Sequence, residues 1–348
     1  MNRFYIGNIE VGNPQKPLVI PEIGINHGGD LSVAKEMVFS AYKAGARLIK
    51  HQTHICSDEM SKAAKYVIPG NATNSIYDIM DQCALDEDEE LELKKYTEQL
   101  GMCFLSTPFS RKAADRLEKF GVSAYKIGSG EMNNYPLIEH ISEFGKPIIL
   151  STGMNEIKSI YKAVDILERY RVPYALMHTT NIYPTKPEHV RLGALKELMD
   201  NFPQTPIGLS DHTLNNNACI AALSLGATLV ERHYTDVKTR KGPDIICSMD
   251  QKELTELLYA ASEIPQMLGG CKGPIKEEQP TIDFAFASIV SLCDIKKGEI
   301  FTKDNLWVKR PGGGIPAEYY RDYLGKKASC DIESDTQISN LMVEKSNV

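Results

Sequence analysis

The amino-acid sequence predicts an α/β fold, a (β/α)8 TIM barrel followed by a small, mostly β module, and three observations carry that prediction. Short apolar runs of strand length recur near residues 20, 48, 104, 126, 149, 176, 208 and 230, and stretches with helical apolar spacing lie between them. Many of these runs break at their C-terminal ends into small polar or charged residues, as in Phe104-Leu105-Ser106-Thr107-Pro108, Ala124-Tyr125-Lys126-Ile127-Gly128-Ser129-Gly130 and Pro206-Ile207-Gly208-Leu209-Ser210-Asp211-His212-Thr213. A parallel barrel gathers the C-terminal ends of its strands at one mouth, so chemistry at many strand ends implies one shared site. From Gly269 to Thr281 the composition then turns to Gly, Pro, Lys and Glu, as in an exposed linker.

Along the chain, residues 18–24 form the first expected strand, after which Val33, Met37, Val38, Ala41 and Ala44 recur at helical spacing up to Gly45, a residue suited to a helix C-cap. Residues 47–53 form the second strand, ending Lys50-His51-Gln52-Thr53. A long excursion of mixed polarity separates it from the helix expected over 89–100, and insertions of that size in a compact domain are usually functional. A strand at Cys103, a helix over 112–120, a strand at Ala124, a helix over 136–144 and a strand at Pro147 follow, punctuated by Gly101, Gly121 and Gly145. Ile157, Ile160, Tyr161, Val164 and Leu167 mark the next helix. Then come a strand over 174–179, a helix over 191–202, a strand at Pro206, a helix over 217–225 and a strand over 228–231. Leu254, Leu257, Leu258 and Ala261 form the inner face of a last helix. Eight parallel strands with right-handed crossovers close into a barrel.

The expected division is therefore a barrel over 1–268, a linker over 269–284 and a module over 285–348 with β-like runs at 287–292 and 305–309. A module so small holds no deep pocket of its own and is expected to close one.

Lys and Arg number 39 against 46 Asp and Glu, a net charge of −7, and no dense basic stretch supplies a nucleic-acid footprint. An anionic ligand would need a local basic pocket. The eight cysteines are scattered without a CxxC pair, which fits reduced thiols in a cytoplasm. The N-terminal residues lack an apolar signal core and no apolar run reaches the roughly 18 residues of a membrane span, so a soluble, unprocessed cytoplasmic protein is expected.

Several residues stand where chemistry is expected. His212 and His233 end the seventh and eighth strands, neighbours in a barrel, and two adjacent imidazoles among oxygen ligands suit a divalent ion, Mn²⁺ or Mg²⁺ before structural zinc. The alternative is a pair of hydrogen-bonded histidines. Lys50 and Lys126 lie in or just after apolar strands, where a lysine is unfavourable unless it meets an anion. That anion is either a substrate or a neighbouring carboxylate such as Glu22 or Glu131; a Schiff-base lysine is a third reading. Ser129, Ser151 and Ser210 end three strands in glycine-rich contexts where hydroxyls and backbone N–H groups converge on a phosphate, although serines there also form turns. Glu22, Glu131 and Asp244 are candidate acid/base groups or sugar ligands, and Arg310 is the candidate cation of the small module.

The motifs Glu22-Ile23-Gly24-Ile25-Asn26-His27, Lys50-His51-Gln52-Thr53, Ser106-Thr107-Pro108-Phe109, Tyr125-Lys126-Ile127-Gly128-Ser129-Gly130-Glu131, Gly208-Leu209-Ser210-Asp211-His212-Thr213, Glu231-Arg232-His233 and Gly242-Pro243-Asp244 together resemble the sialic acid synthase family. The resemblance extends to Val308-Lys309-Arg310-Pro311-Gly312, similar to an antifreeze-like (SAF) domain. It implies a metal-dependent condensation of phosphoenolpyruvate with N-acetylmannosamine to give N-acetylneuraminate and phosphate, with Mn²⁺ the preferred ion. By this likeness His212 and His233 hold the metal. Lys50, Thr107, Lys126, Ser129, Ser151, Asn181 and Ser210 bind phosphoenolpyruvate, and Glu22, Gln52, Asn71, Tyr183 and Asp244 meet the sugar. Glu22, Glu131 and Lys126 are the expected catalytic groups, with Glu131 or a metal-linked group as the base at C2. The resemblance further implies a homodimer in which the small module caps the partner's barrel and brings Arg310 to the sugar. Legionaminate and pseudaminate synthases look similar in the same motifs. Outside the family, the alternatives are a Schiff-base pyruvate aldolase and a sugar- or ice-binding protein built on the C-terminal module.

Overall fold

The structure is a computed structural model that describes residues 2–69 and 73–344. Internal contacts divide the chain into two units, Met1–Gly269 and Gly270–Val348.

The first unit is a closed barrel of eight parallel strands: β3 (Leu18–Gly24), β4 (Leu48–Thr53), β5 (Cys103–Pro108), β6 (Tyr125–Ile127), β7 (Ile148–Ser151), β8 (Tyr174–Thr179), β9 (Ile207–Asp211) and β10 (Leu229–His233), with β10 closing on β3. Each lies where the sequence predicts it. The helices also agree to within a few residues: Leu31–Ala44 is capped by Asp30, whose side chain accepts from two backbone N–H groups, and by Gly45 at φ 98°.

Period-two alternation explains why the barrel has a dry end and a wet end. On the inward parity Leu18, Ile20, Leu48, Leu105, Ala124, Ile149, Ala175, Met177 and Leu229 form one apolar cluster toward the N-terminal ends of the strands. Two to four residues further along the same faces come Glu22, Lys50, Gln52, Thr107, Lys126, Ser151, Ser210, Glu231 and His233, which line a cavity at the C-terminal ends. The opposite parity, Val19, Ile49, Phe104, Ile148, Leu176, Leu209 and Val230 among others, packs against the helices. Register fixes who meets whom: Glu22 lies beside both Lys50 and His233, and Ser210 beside both Glu231 and Thr179.

Two features go beyond the sequence prediction. A hairpin, β1 (Phe4–Ile6) with β2 (Ile9–Val11), turns at Gly7 with φ 56° and packs Phe4, Ile6, Ile9 and Val11 into the apolar barrel cluster. The barrel thereby gains a floor. Within the excursion after β4, the described residues form a short helix Cys56–Glu59, a 3-10 turn Lys62–Tyr66 and a helix Ile76–Cys83 capped by Ser75.

The second unit pairs β11 (Ser288–Ser291) with β12 (Leu306–Lys309), antiparallel, around a core of Ile289, Ile295, Phe301, Leu306, Ile315, Ala328, Ile332 and Ile338. The segment expected as an exposed linker carries the helix Gln279–Ala285, with Pro280 in its first turn. Among the described residues no helix is long and apolar enough to cross a membrane.

Candidate active site

At the mouth of the barrel the inward polar side chains enclose a cavity of about 120 Å³. Glu22 comes from β3, Lys50 and Gln52 from β4, Thr107 from β5, Lys126 and Ser129 from β6 and the turn after it, and Ser151 from β7. Asn181 and Tyr183 follow β8, Ser210 lies on β9 with His212 just after it, and His233 ends β10.

The floor of this cavity is a cluster of buried charges. Lys50 Nζ is ion-paired with Glu22 and lies 3.2 Å from Glu231 Oε1; Lys126 Nζ lies 3.5 Å from the same Glu231 oxygen and donates to Ser151 Oγ at 2.6 Å. None of the four charged side chains is more than 4 % exposed. Burial alone would push the Lys50 ammonium down, but Glu22 and Glu231 outweigh it and its pKa is raised. Burial likewise works to raise Glu22, and Lys50 with His233 overturns it, holding the carboxyl well below its usual range. Lys126 has the weaker partner and a like charge in Lys50 beside it, so burial prevails and its pKa is lowered. The pairing of Lys50 with Glu22, one of the two partners the sequence left open, is thus present. Glu231 is the member that residue patterns passed over. Its position two before His233 puts it on the same inward face, which is the signal that finds it.

Around the lysines stand hydrogen-bonding groups without protein partners. Thr107 Oγ1, Thr179 Oγ1, Asn181 Oδ1 and Glu231 Oε2 are all buried and unpaired. Ser129 Oγ accepts from the Gly153 N–H at 3.0 Å. At Gly153 a side chain is excluded by space rather than by backbone angle, since a Cβ there would fall 2.0 Å from Asn181 Oδ1 and 2.8 Å from Ser129 Oγ. Buried polar groups are normally paired; of these four the Thr107 and Thr179 hydroxyls can donate, and beside two lysines they mark a place that a ligand with anionic oxygens completes, whereas Asn181 Oδ1 and Glu231 Oε2 accept.

His212 and His233 face each other with ring centroids 5.4 Å apart, and Tyr183 packs on His212 at 4.1 Å. Burial and the neighbouring His233 push His212 down to about 3, so its ring is neutral; Nδ1 donates to the Thr180 carbonyl at 2.9 Å, leaving the Nε2 lone pair free. His233 lies 3.7 Å from Glu22 Oε2 through Nε2 and 3.7 Å from Asp244 Oδ2 through Nδ1, which has no hydrogen bond. Two imidazoles with carboxylates beside them fit a divalent ion whose other ligands are water or substrate. Among the described residues no group of three or more His, Cys, Asp and Glu is placed to hold a metal ion by itself.

The strand ends that carry the histidines are held from behind. Arg232, fully buried on the outward face of β10, approaches Asp211 at 3.3 Å and donates to Asn216 Oδ1 at 2.7 Å and to the Thr213 carbonyl at 2.8 Å. Arg232→Met should therefore leave Asp211 buried without its cation and destabilise the barrel by about 3–5 kcal/mol, read from the denaturant midpoint.

The remaining predicted residues lie elsewhere. Asp244 lines an adjoining cavity of about 620 Å³, shared with Gln52, His54, Glu59, Tyr183 and His233 and walled by Ile25, Met60, Ile76, Ile79 and Met80. Asn71 falls outside the described residues. Glu131 ends the 3-10 turn Ser129–Glu131, accepts from Asn134 Nδ2 at 2.6 Å and is absent from the lining of the small cavity; burial raises its pKa. Arg310 is exposed in the second unit, just after β12.

Comparison with known proteins follows the same lines. The model of the NeuB family matches residues 37–273, and that of the SAF domain matches residues 286–344. The N,N'-diacetyllegionaminic acid synthase of Campylobacter jejuni is 36% identical over 93% of this chain and 99% of its own. The human N-acetylneuraminate-9-phosphate synthase is 31% identical over 96% and 94%. Among solved structures, the N-acetylneuraminic acid synthetase of Leptospira borgpetersenii superposes with a TM-score of 0.73 at 30% identity, covering 81% of this chain and 95% of that one.

Proposed function

The chain belongs to the NeuB family, and from that premise we propose that it condenses phosphoenolpyruvate with the aldehyde form of an N-acetylated hexose, releasing phosphate and a nonulosonic acid. The observation that carries this reading is the pair of buried lysines among unpaired hydrogen-bonding groups, next to two facing imidazoles.

Phosphoenolpyruvate carries a carboxylate and a phosphate on one small frame. Lys50 and Lys126 supply charge to it, and the hydroxyls of Thr107, Ser129, Ser151 and Ser210 with the amide of Asn181 supply hydrogen bonds of fixed direction. Held so, C3 of the enol phosphate is a carbon nucleophile facing the wider part of the mouth, where the aldehyde enters. An alkoxide develops on the aldehyde oxygen as the C–C bond forms, and a divalent ion held by His212 and His233 would supply Lewis acidity there. Water then adds to C2. Glu22, buried in the cavity wall and held ionised, is the carboxylate suited to accept a hydrogen bond from this water and orient it, the water's proton passing to the departing phosphate. Collapse of the tetrahedral carbon breaks the C–O bond and frees phosphate.

N-acetylmannosamine is the acceptor of the first reading, with N-acetylneuraminate as product. The apolar wall of Ile25, Met60, Ile76, Ile79 and Met80 favours a second, in which the acceptor carries deoxy or further acylamino groups and the product is of the legionaminate or pseudaminate kind. A panel of N-acetylated hexoses incubated with phosphoenolpyruvate and Mn²⁺ separates the two by rates of phosphate release. A methyl-bearing acceptor favoured by about 10-fold or more over N-acetylmannosamine selects the second.

With ¹⁸O in the bridging C–O–P oxygen, the label should leave in phosphate, read by mass spectrometry; label kept in the keto acid would mean attack at phosphorus. The lowered Lys126 also suits an imine-forming amine, so borohydride with pyruvate is the matching control. The chain's mass should stay unchanged, and an adduct on Lys126 would replace this mechanism by an aldolase.

A further inference from the structure

The excursion after β4 brings one more side chain against the site. His54 is 4 % exposed, and its ring lies flat on Phe109 with centroids 4.4 Å apart and planes 12° from parallel. Its Nδ1 is 2.8 Å from Glu59 Oε2 and its Nε2 is 3.1 Å from Gln52 Oε1. Gln52 Nε2 in turn donates to Glu22 Oε1 at 2.8 Å. Glu59, His54, Gln52 and Glu22 thus make one hydrogen-bonded row, running from the wall of the wider cavity to the carboxylate ion-paired with Lys50.

The two ends of a carboxamide have the same shape, and only their partners decide which way round the group lies. An ionised carboxylate only accepts, so the Gln52 NH₂ belongs against Glu22, and its carbonyl is left facing His54. A ring nitrogen that faces a carbonyl must donate. Nε2 of His54 therefore donates to Gln52 Oε1, and Nδ1 on the far edge of the ring meets the Glu59 carboxylate. Turned the other way, Gln52 would set its carbonyl against Glu22 within hydrogen-bonding distance, two acceptors face to face.

Gln52 lines both cavities and stands where they join. Resting on the synthase reading, we propose that His54 is a positioning residue for the acceptor sugar: its Nε2–H locks the Gln52 amide so that an N–H, and not a carbonyl, is offered at the junction, and so that Glu22 keeps its orientation toward Lys50. Phe109 and Glu59 fix the ring from its face and its far edge. The acceptor is correspondingly expected to present an oxygen lone pair to Gln52.

Two variants and one cycle test this. His54→Phe keeps a flat ring on Phe109 but has no donor, whereas His54→Gln returns an N–H near the position of Nε2. His54→Phe should raise the KM of the acceptor by about 10-fold or more while the KM of phosphoenolpyruvate moves less than about twofold, and His54→Gln should recover most of the loss. Because His54 acts through Gln52, the double variant His54→Phe/Gln52→Ala should be no worse than Gln52→Ala alone. Multiplying losses, an unmoved acceptor KM, or equal impairment in both His54 variants would overturn the proposal. A readout free of turnover is hydrogen exchange of the Gln52 carboxamide by NMR in ¹⁵N-labelled protein: slow in the parent chain, fast in His54→Phe, slow again in His54→Gln. An amide that exchanges alike in all three overturns the positioning role. If the parent chain releases no phosphate with any acceptor, the synthase reading falls, while the exchange pattern still decides what holds Gln52.

Discussion

Lys50→Met should abolish measurable phosphate release and lower the stability of the barrel by about 3–5 kcal/mol. Both effects come from one place. Lys50 sits between Glu22 and Glu231, and Lys126 reaches only the second of these within ion-pairing distance. Removing the Lys50 ammonium leaves two carboxylates sharing one lysine in a site closed to solvent, where an uncompensated charge is far more unfavourable than at a surface. A methionine of similar length keeps the packing, so the loss reports charge and not volume. The diagnostic variant is the double one: Lys50→Met/Glu22→Gln restores the balance of one lysine to one carboxylate. It should regain most of the denaturant midpoint and none of the turnover, because the anionic substrate still lacks its cation and the water step its carboxylate. Recovery of turnover together with stability would mean that Lys50 serves only to neutralise Glu22 and that neither group is needed for turnover.

His212→Ala and His233→Ala should each lower turnover by at least about 100-fold, the scale of removing a principal electrostatic stabiliser. Chelation by EDTA should do the same to the parent chain, and Mn²⁺ should restore it. The neutral His212 ring has a free Nε2 lone pair, in a cavity that already contains carboxylates, with which it would ligate the proposed ion. Isothermal titration with Mn²⁺ gives an independent readout, in which either substitution should weaken binding strongly. Tyr183 packs on both rings, so a thermal melt of each variant separates lost ligation from lost packing. Undiminished turnover after exhaustive chelation would remove the metal from the mechanism.

The barrel was legible because its strands are long enough for alternation to show. In Leu48-Ile49-Lys50-His51-Gln52-Thr53 the inward set Leu48, Lys50, Gln52 moves from floor to active site within one strand, and the charged members stand out against the apolar ones. The same reasoning assembled Lys126, Ser151, Ser210, His212 and His233 at one mouth. Glu231 had that signal too, yet its partners lie on β4 and β6, and pairing across a barrel cannot be read from a single run. The β1–β2 hairpin offers three residues per strand, too few for periodicity, and its apolar side chains find their use only against a floor that other segments build. His54 is the clearest case of information held by the fold alone. Its role depends on Phe109 at one face and on Glu59 and Gln52 at its two nitrogens, and no spacing in the chain announces that meeting.

Gly153 and Gly208 change how a mutational survey of this protein should be designed. Neither adopts a positive φ, so any residue has the right backbone for either position. What forbids a side chain is occupancy: a methyl at 208 would fall 2.5 Å from the Leu229 carbonyl, wedging β9 from β10 beneath the two histidines, and one at 153 would displace the Asn181 amide. Alanine scanning finds important positions by taking atoms away and passes over sites whose contribution is empty volume. Here the complementary survey, which adds a single methyl at each glycine in turn, would report on the spacing of the imidazole pair and on the width of the anion cradle separately, without removing any polar group from the site.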